Sequence, residues 1–375
     1  MNITQLYAVN FRNYANLALE INSPVTVFYG KNAQGKTNIL EAVFYAAFGI
    51  SHRAATEDIL LKIGSEAMAV GVKYASLSGS HTVKIKKYQT RGRWQKELSL
   101  DGAKVRPKEH FGSLNVVLFS PEDLQLVKGE PALRRSFFDL QIAQTDGGYY
   151  ALLANYNKVL RQRNQLLKAI REEGESDAAL LTWDRQFAAL AAAVTGKRIA
   201  ALAKLRSLAS EIYGSISANS EKLTLDYEFK GNNGEKFYPD DGAFAAGDLY
   251  IKLLEGRRKI DILRGNTGVG PHRDDLVLLL NNMPLRYYGS QGQQRSGALA
   301  LKLSQLEYVY GEIGEYPVLL LDDVLSELDG SRREHLLKFI DGRVQTFVTV
   351  NDKELLPALM NSAYFKIENG SVSAG

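Results

Sequence analysis

The sequence predicts an α/β fold, a mixed sheet with helices, interrupted by an α-helical hairpin. Three observations predict it. A glycine-bounded loop, "GKNAQGKT" at 30–37, lies between a strand pattern and a helix pattern. An apolar run, "VLLLDD" at 318–323, ends in two acids and reads as a strand buried on both faces. Between the two, from about 131 to 213, the pattern is helical.

The elements follow in order. "ITQLYAV" and "LALEINSPVTVFYG", within residues 3–29, alternate apolar and polar and lead as strands into the loop. Ile39, Leu40, Val43, Phe44 and Ala47 recur at helical spacing, so the loop opens a buried helix. Residues 66–118 read as a β meander with turns at Ser78-Gly79, Arg91-Gly92 and Asp101-Gly102. Leu152, Tyr156, Val159, Leu160, Arg163, Leu166, Leu167 and Ile170 keep a near-heptad rhythm that "EEGESD" at 172–177 breaks. A second helix, roughly 178–213, completes an antiparallel hairpin, too short for a long coiled coil: a stub arm. "KGNNGEKFYPDDGA" at 230–243 reads as a loop or small β insert, and strand and turn chemistry returns after Arg264. The expected division is a discontinuous head, 1–118 with 265–375, and an arm domain, 119–264.

A chain of 375 residues is long enough for two or three domains and a large core. Its 45% hydrophobic and 23% charged content is ordinary for a globular protein. It has no cysteine, which excludes disulfides and thiolate metal sites. The opening "MNITQLYAVNFRNY" lacks a charged-then-apolar pattern, so no signal peptide is expected. No apolar run approaches the ~20 residues that span a bilayer, so the expectation is a cytoplasmic protein without a membrane partner. The net charge of +4 is unevenly spread: residues 81–110 hold nine Lys/Arg against three Asp/Glu. Lys84, Lys86, Lys87, Arg91 and Arg93 are candidate phosphate contacts for DNA, the plain alternative being a solvated lysine-rich hairpin. Lys158, Arg161 and Arg163 on the arm are rival candidates.

Gly30, Lys31, Asn32, Ala33, Gln34, Gly35, Lys36 and Thr37 fit G-x-x-x-x-G-K-[ST] at every fixed position, and Asn38 follows in the helix. The glycines let successive N–H groups wrap one phosphate, and the helix start adds its positive dipole end. Lys36 supplies a charge to the β- and γ-phosphates of ATP, and Thr37 a hydroxyl to Mg²⁺. The metal also needs a carboxylate. Asp322 is its natural partner, and Asp323 is placed to orient or activate the attacking water. Lys36 and Asp322 stand near opposite ends of the chain, so a large insertion divides one nucleotide site.

Just before the carboxylate strand, Ser290, Gln291, Gly292 and Gln293 precede an amphipathic helix bearing Leu299, Leu303 and Leu306. Hydroxyl, close backbone and dipole make this turn a second anion-binding device. It cannot serve the same phosphate from the same side as the first loop, so a second copy of the chain would supply it. "GSQGQQ" resembles the signature motif of ABC-type ATPases, and "VLLLDDVLSELD" their Walker B strand and D-loop, with Ser326, Leu328 and Asp329 in D-loop positions. The resemblance implies an ABC-type P-loop ATPase head that sandwiches ATP between two subunits.

The closer likeness is to the SMC-like branch, and within it to the RecF-like recombination mediators. It rests on "NFRNY" (10–14), "GKNAQGKTNILEA" (30–42), "SHR" (51–53), "FSPEDLQLVKGEPALRRSFFD" (119–139), "GVGPHRDDL" (268–276), "GSQGQQR" (289–295) and "LLLDDVLSELD" (319–329). This resemblance implies an ATP-dependent homodimer on duplex, gapped or single-strand/duplex junction DNA, near the nucleoid. It also implies the partners RecR and RecO, help in loading RecA onto strands coated by single-strand-binding protein, and slow DNA-stimulated ATP hydrolysis. Asp323 stands where transporter subunits carry Glu, and the switch histidine is missing after "QTFVTV", with Thr349 or Asn351 nearest. A transporter ATPase subunit and a nucleotide-gated clamp with negligible hydrolysis are the competing expectations.

Overall fold

The computed structural model describes residues 1–54, 56–174, 176–231, 236–237, 246–352 and 362–375. They form two compact units: Met1–Asp123 with Gln305–Gly375, and Leu124–Ser304.

The first unit is built from two sheets. One is antiparallel, β2-β1-β4-β5-β6-β7, from β1 (Asn2–Phe11), β2 (Tyr14–Glu20), β4 (Ala67–Ser76), β5 (Gly79–Thr90), β6 (Arg93–Leu100) and β7 (Ala103–Lys104). The other is β16-β15-β3-β14-β13-β8, from β3 (Val25–Tyr29), β8 (Val116–Phe119), β13 (Val318–Asp322), β14 (Thr346–Val350), β15 (Ser362–Glu368) and β16 (Ser371–Ala374). In that sheet β15, β3, β14, β13 and β8 are parallel, and β16 is an antiparallel edge. The helix Lys36–Phe48 packs against strands of both sheets, and eleven of its thirteen residues are buried. Its apolar residues lie all round rather than on one stripe, as a helix between two sheets requires.

The meander expected over 66–118 ends earlier. Val116–Phe119 leaves it and pairs with Val318–Leu321 in the parallel sheet. All four of its residues are buried, so it belongs in a two-faced core strand.

The second unit holds the helices Pro131–Thr145, Gly147–Glu173, Leu180–Ile216 and Ala246–Arg264. A small sheet β10-β9-β11-β12 joins them, from β9 (Leu223–Lys230), β10 (Lys236–Phe237), β11 (Asp275–Leu280) and β12 (Met283–Pro284). Most of the insert expected over 230–243 lies outside the described residues. Residues 265–304, expected in the head, fall in this unit instead, because β11 pairs antiparallel with β9 over six residues.

Arg163 pins the helices together and is fully buried. Its guanidinium donates to Asp184 at 2.8 Å, Asp261 at 3.1 Å and Thr267 at 2.7 Å. It is therefore no DNA contact: the heptad rhythm that contains it turns it inward. The segment "GVGPHRDD" is a second anchor. Asp275 takes a bidentate pair from Arg134 (2.8 and 2.7 Å), and Asp274 accepts from Tyr227 and Tyr250. His272 Nε2 donates to the Thr267 carbonyl, so its Nδ1 accepts from Tyr156, whose hydroxyl lies 2.5 Å away. Burial holds His272 neutral, its pKa lowered to about 3.

Candidate nucleotide-binding site

β3 ends at Tyr29, and the loop that follows reaches the helix N-terminus at Lys36. Gly30 and Gly35 have φ of 148° and 115°, which side-chain-bearing residues avoid. A Cβ on Gly30 would also lie 2.4 Å from the Ile367 carbonyl oxygen, and one on Gly35 2.5 Å from Asn13 Nδ2. Space and backbone conformation thus both demand glycine.

The loop is braced from below by "NFRNY". Asn13 donates to the Gln34 carbonyl (2.9 Å) and accepts from Asn38 Nδ2 (2.8 Å), while the Tyr14 hydroxyl donates to the Gly35 carbonyl (3.1 Å). Arg12 pairs with Glu41 through two 2.7 Å bonds, and Ser51 donates to the same carboxylate. Burial alone would raise the Glu41 pKa, but the Arg12 and Ser51 donors hold it below the usual range. Three separate sequence stretches therefore meet at Glu41.

An open cavity of about 320 Å³ lies above the loop, lined by Asn32, Ala33, Gly35, Lys36, Thr37 and Asn38 from the first half of the chain. Asp322, Asp323, Thr349 and Asn351 line it from the other end of the sequence, and Arg53 joins them. Lys36 Nζ donates to the Gly30 carbonyl (2.7 Å), the Lys31 carbonyl (2.9 Å) and Asn351 Oδ1 (3.0 Å). Burial lowers the Lys36 pKa, opposed by the carboxylates of Asp323 and Asp322. Burial raises the Asp322 pKa, opposed by hydroxyl bonds from Thr349 (2.7 Å) and Thr37 (2.8 Å). Asp323 has φ 54°, a left-handed conformation that Asp tolerates better than most residues, and accepts from Ser326 at 2.8 Å. Its N–H donates to Thr349 Oγ1, so one threonine fixes both acids.

The structure thus gathers Asn32, Ala33, Gly35, Lys36, Thr37, Asn38, Asp322 and Asp323 at one cavity. Gly30 and Lys31 turn their carbonyls to Lys36, and Gln34 accepts through Oε1 from the Asn369 N–H (2.7 Å). Asp329 caps the helix Gly330–Ile340, accepting from the Arg332 N–H at 3.0 Å and pairing with its guanidinium. Sequence reasoning gave no role to Arg53, Asn13 or Tyr14; their only trace was their place in "SHR" and "NFRNY".

Ser290–Gln293 belong to the second unit. Ser290 Oγ accepts from the Gln293 N–H (3.2 Å), and Gln293 Oε1 from the Ser290 N–H (2.7 Å). This reciprocal pair is a capping box at the start of the helix Gln291–Ile313.

The basic hairpin is sorted by its pleat. Lys87 is 6% exposed and pairs with Asp58 at 2.6 Å, so it is no phosphate contact; it points to the inner face of the sheet, with Val83 and Ile85. Lys86, Arg91 and Arg93 are exposed, and Lys84 is half-exposed, 5.3 Å from the Tyr7 ring centroid.

No helix among the described residues is long and apolar enough to cross a membrane. The model of the RecF/RecN/SMC N-terminal domain matches residues 2–371. The DNA replication and repair protein RecF of Natranaerobius thermophilus is 41% identical, with 99% of this chain and 97% of that protein covered. That of Oceanobacillus iheyensis is 38% identical over the whole of both chains. The solved structure of the recombination mediator protein RecF with ATP aligns with a TM-score of 0.90 at 35% identity, covering 100% of this chain and 97% of that one. An SMC head domain from Pyrococcus furiosus shares the fold, with a TM-score of 0.56 at 14% identity, covering 100% of this chain and 96% of that one. The fold is that of an ABC-type ATPase head, and the chain belongs to the RecF family.

Proposed function

We propose that this chain binds ATP at the Lys36 loop, pairs with a second copy of itself in doing so, and thereby engages DNA as a recombination mediator. One observation carries this: Lys36, Thr37 and Asp322 converge on one cavity from opposite ends of the sequence. The loop glycines and helix start supply phosphate-facing N–H groups, and Lys36 supplies the positive charge. Thr37 Oγ1 and Asp322 Oδ1, 2.8 Å apart, form an oxygen pair suited to a hard divalent cation. Mg²⁺ held there would neutralise charge on the phosphate oxygens. Asp323 orients the attacking water, and Arg53 adds a second positive charge to the cavity wall. Ser290, Gln291, Gly292 and Gln293 of the second copy cap the nucleotide from the far side, and Asp329 is a further nucleotide contact.

The family supports the rest of the reading. Solved relatives are described as recombination mediators of the RecFOR pathway with ATP or an ATP analogue. By that likeness the chain works in DNA repair and replication with RecO and RecR, on duplex, gapped or junction DNA. It helps to load RecA onto strands coated by single-strand-binding protein, in the cytoplasm near the nucleoid. Hydrolysis is slow and raised by DNA.

Steady-state ATP turnover with and without gapped duplex tests this. DNA is expected to raise the rate several-fold. A rate indifferent to DNA, or one raised only by a membrane subunit, contradicts the proposal.

A further inference from the structure

We propose that the solvent face of the antiparallel sheet β2-β1-β4-β5-β6-β7 binds the phosphate backbone of a duplex through Lys73, Lys84 and Lys86. The inference rests on the DNA-binding reading above and specifies its surface.

Register decides which cations share a face. Lys84 stands opposite Gly71 and Ser99, Lys86 opposite Ala69 and Glu97, and Lys73 opposite Gln5 and Thr82. Partners directly opposite in an antiparallel pair point the same way, and successive residues alternate. Lys73, Lys84 and Lys86 therefore project from one face, with Arg93 and Lys104 farther along it. Across from them, Lys87 and Lys96 form a like-charge pair on the inner face. That pair is neutralised where it stands: Lys87 meets Asp58 at 2.6 Å and Lys96 meets Glu57 at 2.5 Å.

On the outer face the ion pair is Lys104 with Glu97, and among the described residues Lys73, Lys84 and Lys86 make none. The acids on that face are engaged elsewhere, Glu20 by Gln5 (2.9 Å) and Glu97 by Lys104 (3.8 Å). At its centre Gly71 is buried in mid-strand, and a Cβ there would sit 1.9 Å from Tyr7 Cζ. Glycine in a strand interior weakens it unless something must approach closely, and here the Tyr7 ring lies across it. The ring carries Lys84 Nζ 5.3 Å from its centroid, which limits the rotamer freedom the lysine would lose on binding. Small Ala67, Ala69 and Ala75 lie on the same face along β4. A lysine-bearing face with unpaired charges suits the backbone of a duplex, where point charges meet phosphates without reading bases.

The test is anisotropy of a labelled blunt duplex with the full chain and ATP, over a salt series. In the variant Lys73→Gln/Lys84→Gln/Lys86→Gln, the slope of log affinity against log salt should fall by about 0.9 for each lysine in contact. The charge-retaining triple Lys→Arg variant should keep the slope, and Lys158→Gln/Arg161→Gln on the second unit should leave it unchanged. ATP affinity should be equal in all of them. An unchanged slope in the Gln triple overturns the proposal, as does an equal loss in the arm variant. A loss confined to single-stranded DNA overturns the duplex assignment. If the unmodified chain binds no DNA at any salt, the underlying DNA-binding reading fails instead.

Discussion

Thr37 Oγ1 donates a 2.8 Å hydrogen bond to Asp322 Oδ1 across 285 positions of sequence. The bond joins the tip of one buried parallel strand to the first turn of the helix that follows another. Between β3 and β13 in the sheet lies β14, which sends Thr349 to the same Asp322 oxygen at 2.7 Å. The site is thus held by adjacent strand ends, and the long chain between them is inserted without disturbing it.

Lys36→Met should lower ATP affinity about a hundredfold, since charged hydrogen bonds contribute ~1.5–3 kcal/mol each. Lys36 is 7% exposed, and Met keeps the length of its stem, so the fold should survive. Calorimetric titration of ATP into the variant checks this; an affinity within threefold of the parent removes Lys36 from the site.

Asp323→Asn should bind ATP and turn it over ~10²- to 10⁴-fold more slowly, the usual loss when a water-orienting base is removed. Asn accepts the left-handed backbone as Asp does. Undiminished single-turnover rates would move the role to another residue.

Asn13→Ala removes two bonds beneath the loop, to the Gln34 carbonyl and from Asn38. At about 1 kcal/mol per bond, ATP affinity should fall by up to roughly thirtyfold although Asn13 is not among the cavity-lining residues. Equal affinities would show that the loop holds its shape unaided.

Asp274 should make stability pH-dependent. Burial raises its pKa to about 6, against the donors Lys230 N–H, Tyr227 and Tyr250. A raised folded-state value means that stability is fully present below the unfolded value of ~3.9 and is lost as pH rises through about 6. The loss should approach roughly 3 kcal/mol, at about 1.4 kcal/mol per unit. Denaturant melts across that window should show the trend in the parent relative to Asp274→Asn. Parallel curves would contradict it.

Much of this was legible in the sequence. The loop's fixed glycines, Lys36 and Thr37 carry the spacing of a phosphate loop, and the apolar run before Asp322 marks its strand. Side-chain direction was less legible. Lys87 sits in a basic run and Arg163 is a cation in a heptad run, yet the pleat and the helix face turn both inward onto Asp58 and Asp184. Asn13, Tyr14 and Arg53 reach the site only through tertiary packing, which no local period encodes. The placement of residues 265–304 depended on β11 pairing with β9, a long-range choice.

The central claim is that ATP is shared between two copies, with Ser290–Gln293 of one closing on the Lys36 loop of the other. Light scattering with ATP, with ADP and with neither tests it most directly, alongside Ser290→Arg. The expected result is a doubled mass with ATP alone, absent in the variant although ATP still binds. A monomer at saturating ATP, or a doubled mass indifferent to Ser290→Arg, would contradict it.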